Sequence, residues 1–221
     1  TSTYVLQKMI QVDSISPLEK TMYILTYKET GDIFILYRGI FNPRQMVRLV
    51  TNKKLVKFPN ISDDIQIHSG CLEIYEDTRE RCMEVLRKNI TKDTKNIYLV
   101  GHSIGAPLVT LTMIDLFNSE MYKKYKISLH GFAFTPLYCG DRNFSTYFNK
   151  YLKERNNEYI SFINLMDLYT LFPFTEQQTH VGTLYFIDKN YGTSQKNHRL
   201  NTFLVELAKK LNCPFSKKGY Y

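Results

Sequence analysis

The spacing of apolar positions changes along the chain. At Ile33-Phe34-Ile35-Leu36-Tyr37 five apolar residues run together behind the turn signal Thr30-Gly31-Asp32, which predicts a buried strand. Leu18–Tyr27, after Pro17, reads as the strand before it, so a hairpin is expected, whereas residues 4–12 alternate only irregularly. From about residue 72 the period lengthens. Leu72, Tyr75, Cys82, Val85 and Leu86 fall on one stripe of a helix that follows Ile65–Cys71 and runs to about Lys88. A strand at Asn96–Val100 comes next, then a helix over Ile104–Phe117, a strand over Lys126–Phe134, and a helix over Asn143–Arg155 with Phe144, Tyr147, Phe148 and Tyr151 on one face. A strand at Tyr159–Asn164, an edge strand at Leu184–Ile187 and a closing helix at Arg199–Leu211 complete the order. Strands alternating with helices predict an α/β protein, a mostly parallel sheet with helices on both faces. No Pro/Gly/Ser-rich linker divides the 221 residues, so one domain is expected.

One junction in this pattern carries chemistry. Between the strand ending at Val100 and the helix beginning at Ile104 lies Gly101-His102-Ser103-Ile104-Gly105, a Gly-x-Ser-x-Gly in the strand, turn, helix setting of a nucleophile elbow. A serine at so sharp a turn is strained, and strand and helix can approach only where Gly101 and Gly105 carry no side chain. Ser103 then stands at a helix N-terminus, with the Ile104 N–H aimed at a developing oxyanion. The plainer alternative is a glycine-rich turn with a serine cap. Pro107 falls in the first helical turn, where its missing N–H costs little.

Chain order filters the partners such a serine needs, because in α/β-hydrolase chemistry the acid follows the serine and the histidine follows the acid. Of five histidines only His180 and His198 qualify; His68, His102 and His130 come too early. Among the acids Asp167 lies just beyond the C-terminal end of a strand, where open α/β sheets present functional groups, while Asp115 is mid-helix and Asp141 and Asp188 sit in turns. Asp167 and His198 could instead simply cap the segments that follow them.

At this point five segments, taken in order, resemble the class 3 (fungal-type) lipases. Arg38-Gly39 resembles that family's Arg-Gly-Ser/Thr oxyanion segment and Ile67-His68-Ser69-Gly70 its Val-His-x-Gly-Phe. Gly101–Gly105 is similar to Gly-His-Ser-Leu-Gly, Phe132–Pro136 to Phe-Gly-x-Pro, and Asn164–Pro173 to Asn-x-x-Asp-x-Val-Pro-x-Leu-Pro. The resemblance spans roughly residues 20 to 205 and implies an α/β-hydrolase fold and a serine carboxylic-ester hydrolase acting on lipid esters, triacylglycerol-like or phospholipid. Ser103 would be nucleophile, His198 base and Asp167 its orienting acid, with Ile40 and Ile104 N–H groups holding the oxyanion and no metal or cofactor required. Asn197-His198 stands where the family has Asp-His, and His180-Val181-Gly182 resembles a non-catalytic His-x-Gly, which selects His198. Ile40 replaces the family's Ser/Thr and removes a side-chain oxyanion donor. That departure leaves a second reading, a lipase-like binding or scaffold protein of weak or no turnover.

Composition adds limits. A net charge of +8 from dispersed lysines, with short clusters at Lys53-Lys54-Lys57, Lys123-Lys124-Lys126 and Lys217-Lys218, comes with no nucleic-acid recognition motif. It suits a solvated basic surface, and contact with an anionic membrane is the partner it would favour. No apolar run reaches the roughly 18 residues a spanning helix needs, and the chain starts at Thr1 with no signal-peptide pattern, so any such peptide has been removed or never existed. Cys71, Cys82, Cys139 and Cys213 show no metal or redox spacing, and pairing stays open, as does the compartment. Finally, Phe41-Asn42-Pro43 breaks the chain before Arg44–Val50, where Met46, Val47, Leu49 and Val50 sit beside Arg44 and Arg48. These read as a short helix with an apolar side, which ordinary packing would explain; the resemblance implies instead a lid there, without the family's usual Trp, that opens at a lipid interface.

Overall fold

The computed structural model describes residues 9–12, 22–27, 29–39, 49, 52, 54–59, 61–62, 64–153, 156–172 and 179–210. The strands are β1 (Met9–Val12), β2 (Met22–Thr26), β3 (Ile33–Tyr37), β4 (Leu55–Lys57), β5 (Gln66–His68), β6 (Asn96–His102), β7 (Ser128–Phe134), β8 (Glu158–Asn164) and β9 (Thr183–Ile187). Seven of them form the central sheet, in the order β1-β2-β3-β6-β7-β8-β9. The first three are antiparallel neighbours, and β3, β6, β7, β8 and β9 run parallel. The mostly parallel sheet read from the alternation of elements is therefore present. The turn at Thr30-Gly31-Asp32 closes the expected hairpin, with Met22 opposite Tyr37 and Thr26 opposite Ile33.

Alternation of burial along the strands shows how the layers differ. In β3 and β6 every second residue is buried, Ile33, Ile35 and Tyr37 in one, Ile97, Leu99 and Gly101 in the other. These face a large core with α1 (Ser69–Asn89), α2 (Gly105–Asn118), α3 (Glu120–Tyr125) and α4 (Arg142–Leu152), through Tyr75, Cys82, Leu86, Met113, Tyr122 and Phe148. The opposite face is covered near the carboxyl ends of its strands by α6 (Leu200–Lys210), whose Phe203 meets Phe134, Phe162 and Ile187. Helices thus lie on both faces, but unequally. The continuous apolar run 33–37 was expected to be buried on both sides; instead Phe34 and Leu36 are half-buried, and Phe34, Tyr98 and His130 form a stacked row across three strands at 4.9 and 4.8 Å.

Smaller elements escaped the period analysis because they are too short to show a period. Gln66–His68 (β5) pairs with Leu55–Lys57 (β4) in a separate antiparallel ribbon. The helix α3 ends at Lys126 with φ 52°, which starts β7 two residues later than expected. A 3₁₀ turn at Leu168–Leu171 and a four-residue helix α5 (Ser194–Asn197) carry the ends of the loops described next. Asp115, on α2, accepts from the Tyr75 hydroxyl and, bidentately, from the Nε and Nη2 edge of the Arg79 guanidinium, a part-buried tie between α1 and α2 rather than a reactive acid. Cys71, Cys82 and Cys139 are buried free thiols; Cys213 lies outside the described residues.

Candidate active site

Two residues separate the end of β6 from α2, and Ser103 makes the turn at φ 57°, a left-handed conformation that costs a non-glycine residue about 1–2 kcal/mol. Backbone contact leaves no alternative path. A Cβ on Gly101 would stand 2.3 Å from Gly105 O, and one on Gly105 would stand 2.5 Å from Tyr37 O. The Ser103 N–H donates to Phe134 O at 2.9 Å and the Ala106 N–H to Ser103 O at 3.0 Å, which pins the turn from both sides. Ile104 is the N-cap of α2 and makes no side-chain cap bond, so the positive end of the helix lies beside Ser103.

Two distant loops meet this serine. The His198 Nε2 is 2.7 Å from Ser103 Oγ, and its Nδ1 is 2.7 Å from Asp167 Oδ2. With the Nδ1–H donating to the carboxylate, Nε2 is left as acceptor for the Ser103 hydroxyl, the tautomer needed to take its proton. Ser103 and Asp167 are 2% and 1% exposed. Asp167 also does what the plainer reading proposed, since its Oδ1 accepts the Tyr169 N–H at 3.0 Å and caps the 3₁₀ turn. One carboxylate oxygen holds its own loop while the other faces the imidazole. Tyr169 and His102 flank the His198 ring at centroid distances of 4.7 and 5.2 Å.

Of the two residues expected to hold the oxyanion, Ile104 is buried at the start of α2 and Ile40 lies outside the described residues. Gly39 is described, and its position bears on the question: a Cβ there would come within 3.3 Å of Ser103 Cβ and 3.0 Å of His102 Nδ1. The Arg38-Gly39 segment therefore runs beside the serine. Residues 44–48 and 50 also lie outside the described residues, while Leu49 is buried. Among the described residues no group of three or more His, Cys, Asp or Glu is arranged to hold a metal ion, and no helix is long and apolar enough to cross a membrane.

His180, the rival by chain order, is not at the serine. It is half-buried against Tyr138, at 4.4 Å between ring centroids, and bonds to the Thr170 backbone. The sequence reading missed His102 as a structural partner. Its Nε2–H donates to the His198 carbonyl at 2.7 Å, and burial, reinforced by the neighbouring His198, pushes its pKa down to about 4. Burial likewise pushes His180 down to about 4 and lowers His68. These rings bind a proton less readily folded than unfolded. Their stabilising effect is therefore complete above about pH 6.5 and is lost as pH falls toward 4. Melting curves should show Tm falling by on the order of 5 °C over that window. In His180→Gln the slope should shrink; an unchanged slope would mean that His180 takes no part in it.

A family model described as lipase (class 3) matches residues 34–177. No curated protein matches the chain. Among solved structures, the lipase from Rhizopus microsporus var. chinensis superposes with a TM-score of 0.67 at 20% identity, over 83% of this chain and 62% of that one. The native Rhizomucor miehei lipase propeptide complex gives 0.65 at 21%, over 83% and 58%. A structure described as a triacylglycerol lipase whose catalytic centre is a serine protease triad gives 0.63 at 19%, over 82% and 68%. At these identities the likeness establishes the fold, and the chain spans about three fifths of the length of the first two.

Proposed function

This chain belongs to the class 3 lipase family, and we propose that it hydrolyses lipid carboxylic esters through Ser103, His198 and Asp167. The observation that carries the reading is the unbroken line from Ser103 Oγ through His198 to Asp167 Oδ2, with 2.7 Å at both steps, built on a serine held in a strained left-handed turn. Ser103 attacks the ester carbonyl as His198 takes its proton. The imidazolium, stabilised by Asp167, returns that proton to the leaving alcohol, and the acyl-enzyme is hydrolysed by the same steps with water. The Ile104 and Ile40 N–H groups receive the oxyanion. A fluorophosphonate tests the reading directly: it should label Ser103 and abolish hydrolysis. No labelling would favour the binding or scaffold alternative.

A second observation bears on the substrate. Among the described residues the large apolar side chains left exposed are Leu165, Met166, Leu168 and Leu171, around Asp167, and Leu184 and Phe186 on β9. The two groups adjoin, because the Leu165 N–H donates to Ile187 O. An apolar patch around the Asp167 loop suits an aggregated lipid ester, since burying a Leu or Phe is worth about 1.5–3 kcal/mol each. Lys189, Lys196 and Arg199 are exposed near His198 and would meet anionic headgroups. In a Leu184→Ser/Phe186→Ser variant, turnover of an emulsified ester should fall about tenfold more than turnover of a monomeric one. Equal losses on both would remove the patch from lipid contact.

A further inference from the structure

Two buried asparagines join the segment that carries Asp167 to the segment that carries His198, and we propose that Asn197, supported by Asn164, is a positioning residue for the acid–base pair. The kinetic part of this proposal rests on the hydrolase reading above; the structural part does not.

Asn197 is 4% exposed and uses both ends of its amide. Its Nδ2 donates to Met166 O at 2.8 Å, and its Oδ1 accepts the Tyr191 N–H at 2.7 Å. Met166 immediately precedes Asp167 and Asn197 immediately precedes His198, so this bond joins the two loops one residue from each member of the pair. Asn164, fully buried at the end of β8, reinforces it with four bonds. Its Nδ2 donates to Lys189 O at 3.0 Å and Asn197 O at 3.3 Å, and its Oδ1 accepts the N–H groups of Met166 at 3.2 Å and Lys189 at 3.4 Å. The backbone on the other side of the imidazole is fixed as well, by His102 Nε2–H on the His198 carbonyl. Both peptide units that flank His198 are thus tied to the Ser103 and Asp167 elements.

The surroundings also explain the residue type. Oδ1 faces a donor and the other end of the side chain faces a carbonyl oxygen, an acceptor, so only an amide satisfies both neighbours. A carboxylate in the same place would keep the Tyr191 bond and oppose Met166 O. The Asp-His order of the resembled family would therefore not serve these neighbours, and Asn197 follows from this chain's own loop geometry.

The experiment pairs kinetics with a spectroscopic readout on the intact chain. Asn197→Ala should lower kcat on a monomeric p-nitrophenyl ester about tenfold with KM little changed, because a loosened base is misaligned for proton transfer while the acyl site is untouched. The low-field proton resonance of His198 Nδ1–H, hydrogen-bonded to Asp167, should broaden or move upfield in the same variant. Asn197→Asp is nearly isosteric and guards against a folding failure. Only its protonated carboxyl can donate to Met166 O, so its kcat relative to wild type should fall as pH rises through the new group's titration. Wild-type kcat and an unmoved resonance in Asn197→Ala, or a pH profile of Asn197→Asp parallel to wild type, would overturn the proposal. A resonance that responds to Asn197→Ala in a protein with no turnover would sustain positioning while defeating the hydrolase reading.

Discussion

Ser103→Ala should abolish ester hydrolysis, with a loss of about 10⁴ or more in kcat, and leave the fold intact. The size follows from what the hydroxyl does. It is the atom on which His198 Nε2 converges at 2.7 Å, and without it no acyl-enzyme forms. The fold survives because the strain at φ 57° belongs to the turn and is about the same for alanine as for serine. Fluorophosphonate labelling should vanish and the thermal transition should stay within a few degrees. His198→Ala should be equally damaging to turnover, whereas His180→Ala should cost stability through the lost Thr170 backbone contact and leave most of the rate. A folded Ser103→Ala that keeps most of its activity would remove Ser103 from the mechanism, and a larger kinetic loss in His180→Ala than in His198→Ala would move the base.

What could be read from the sequence divides along local and non-local lines. The elbow is local: five residues with a strand before and a helix after state its geometry, and Gly101 is required by contacts within that turn, while Gly105 is required by the neighbouring strand β3. Asp167 and His198 are not neighbours of Ser103 in sequence, and chain order alone left His180 open beside His198. The resemblance separated them, and the structure brings His198 to the serine while packing His180 against Tyr138. The supports around the pair left no pattern to find. His102 reads as the x of a motif and works as a donor to a carbonyl 96 residues away. Asn197 showed only as a departure from Asp-His, and its reason lies in Met166 and Tyr191, whose backbone groups no spacing rule addresses. The sheet was legible from its alternating elements, but the unequal cover of its faces was not, because an apolar run reads the same under a thick layer or a thin one.

Gly101→Ala should be the most destabilising single methyl the chain can receive at this site. The added carbon would stand 2.3 Å from Gly105 O, 2.5 Å from Gly105 C and 2.7 Å from Ala106 N, all backbone atoms that cannot swing aside. Relief would require moving the start of α2 away from β6. Yet α2 is buried along nearly its whole length, and Gly105 is itself pressed against Tyr37 of β3. Overpacking of this kind costs typically 1–3 kcal/mol where side chains can adjust, and about 3 kcal/mol or more is expected where only backbone can give. For a chain of this size that corresponds to roughly 10 °C in Tm. Turnover should fall by about 10² in whatever fraction still folds, since a shift of about 1 Å in Ser103 breaks its alignment with His198. Gly192→Ala supplies the contrast. Its φ of +94° disfavours a side chain, but nothing lies within 4 Å of the added carbon, so only the conformational cost of about 1–2 kcal/mol applies. Equal melting temperatures for the two variants would mean that the strand and helix at Ser103 are not in the tight backbone contact on which the whole site is built.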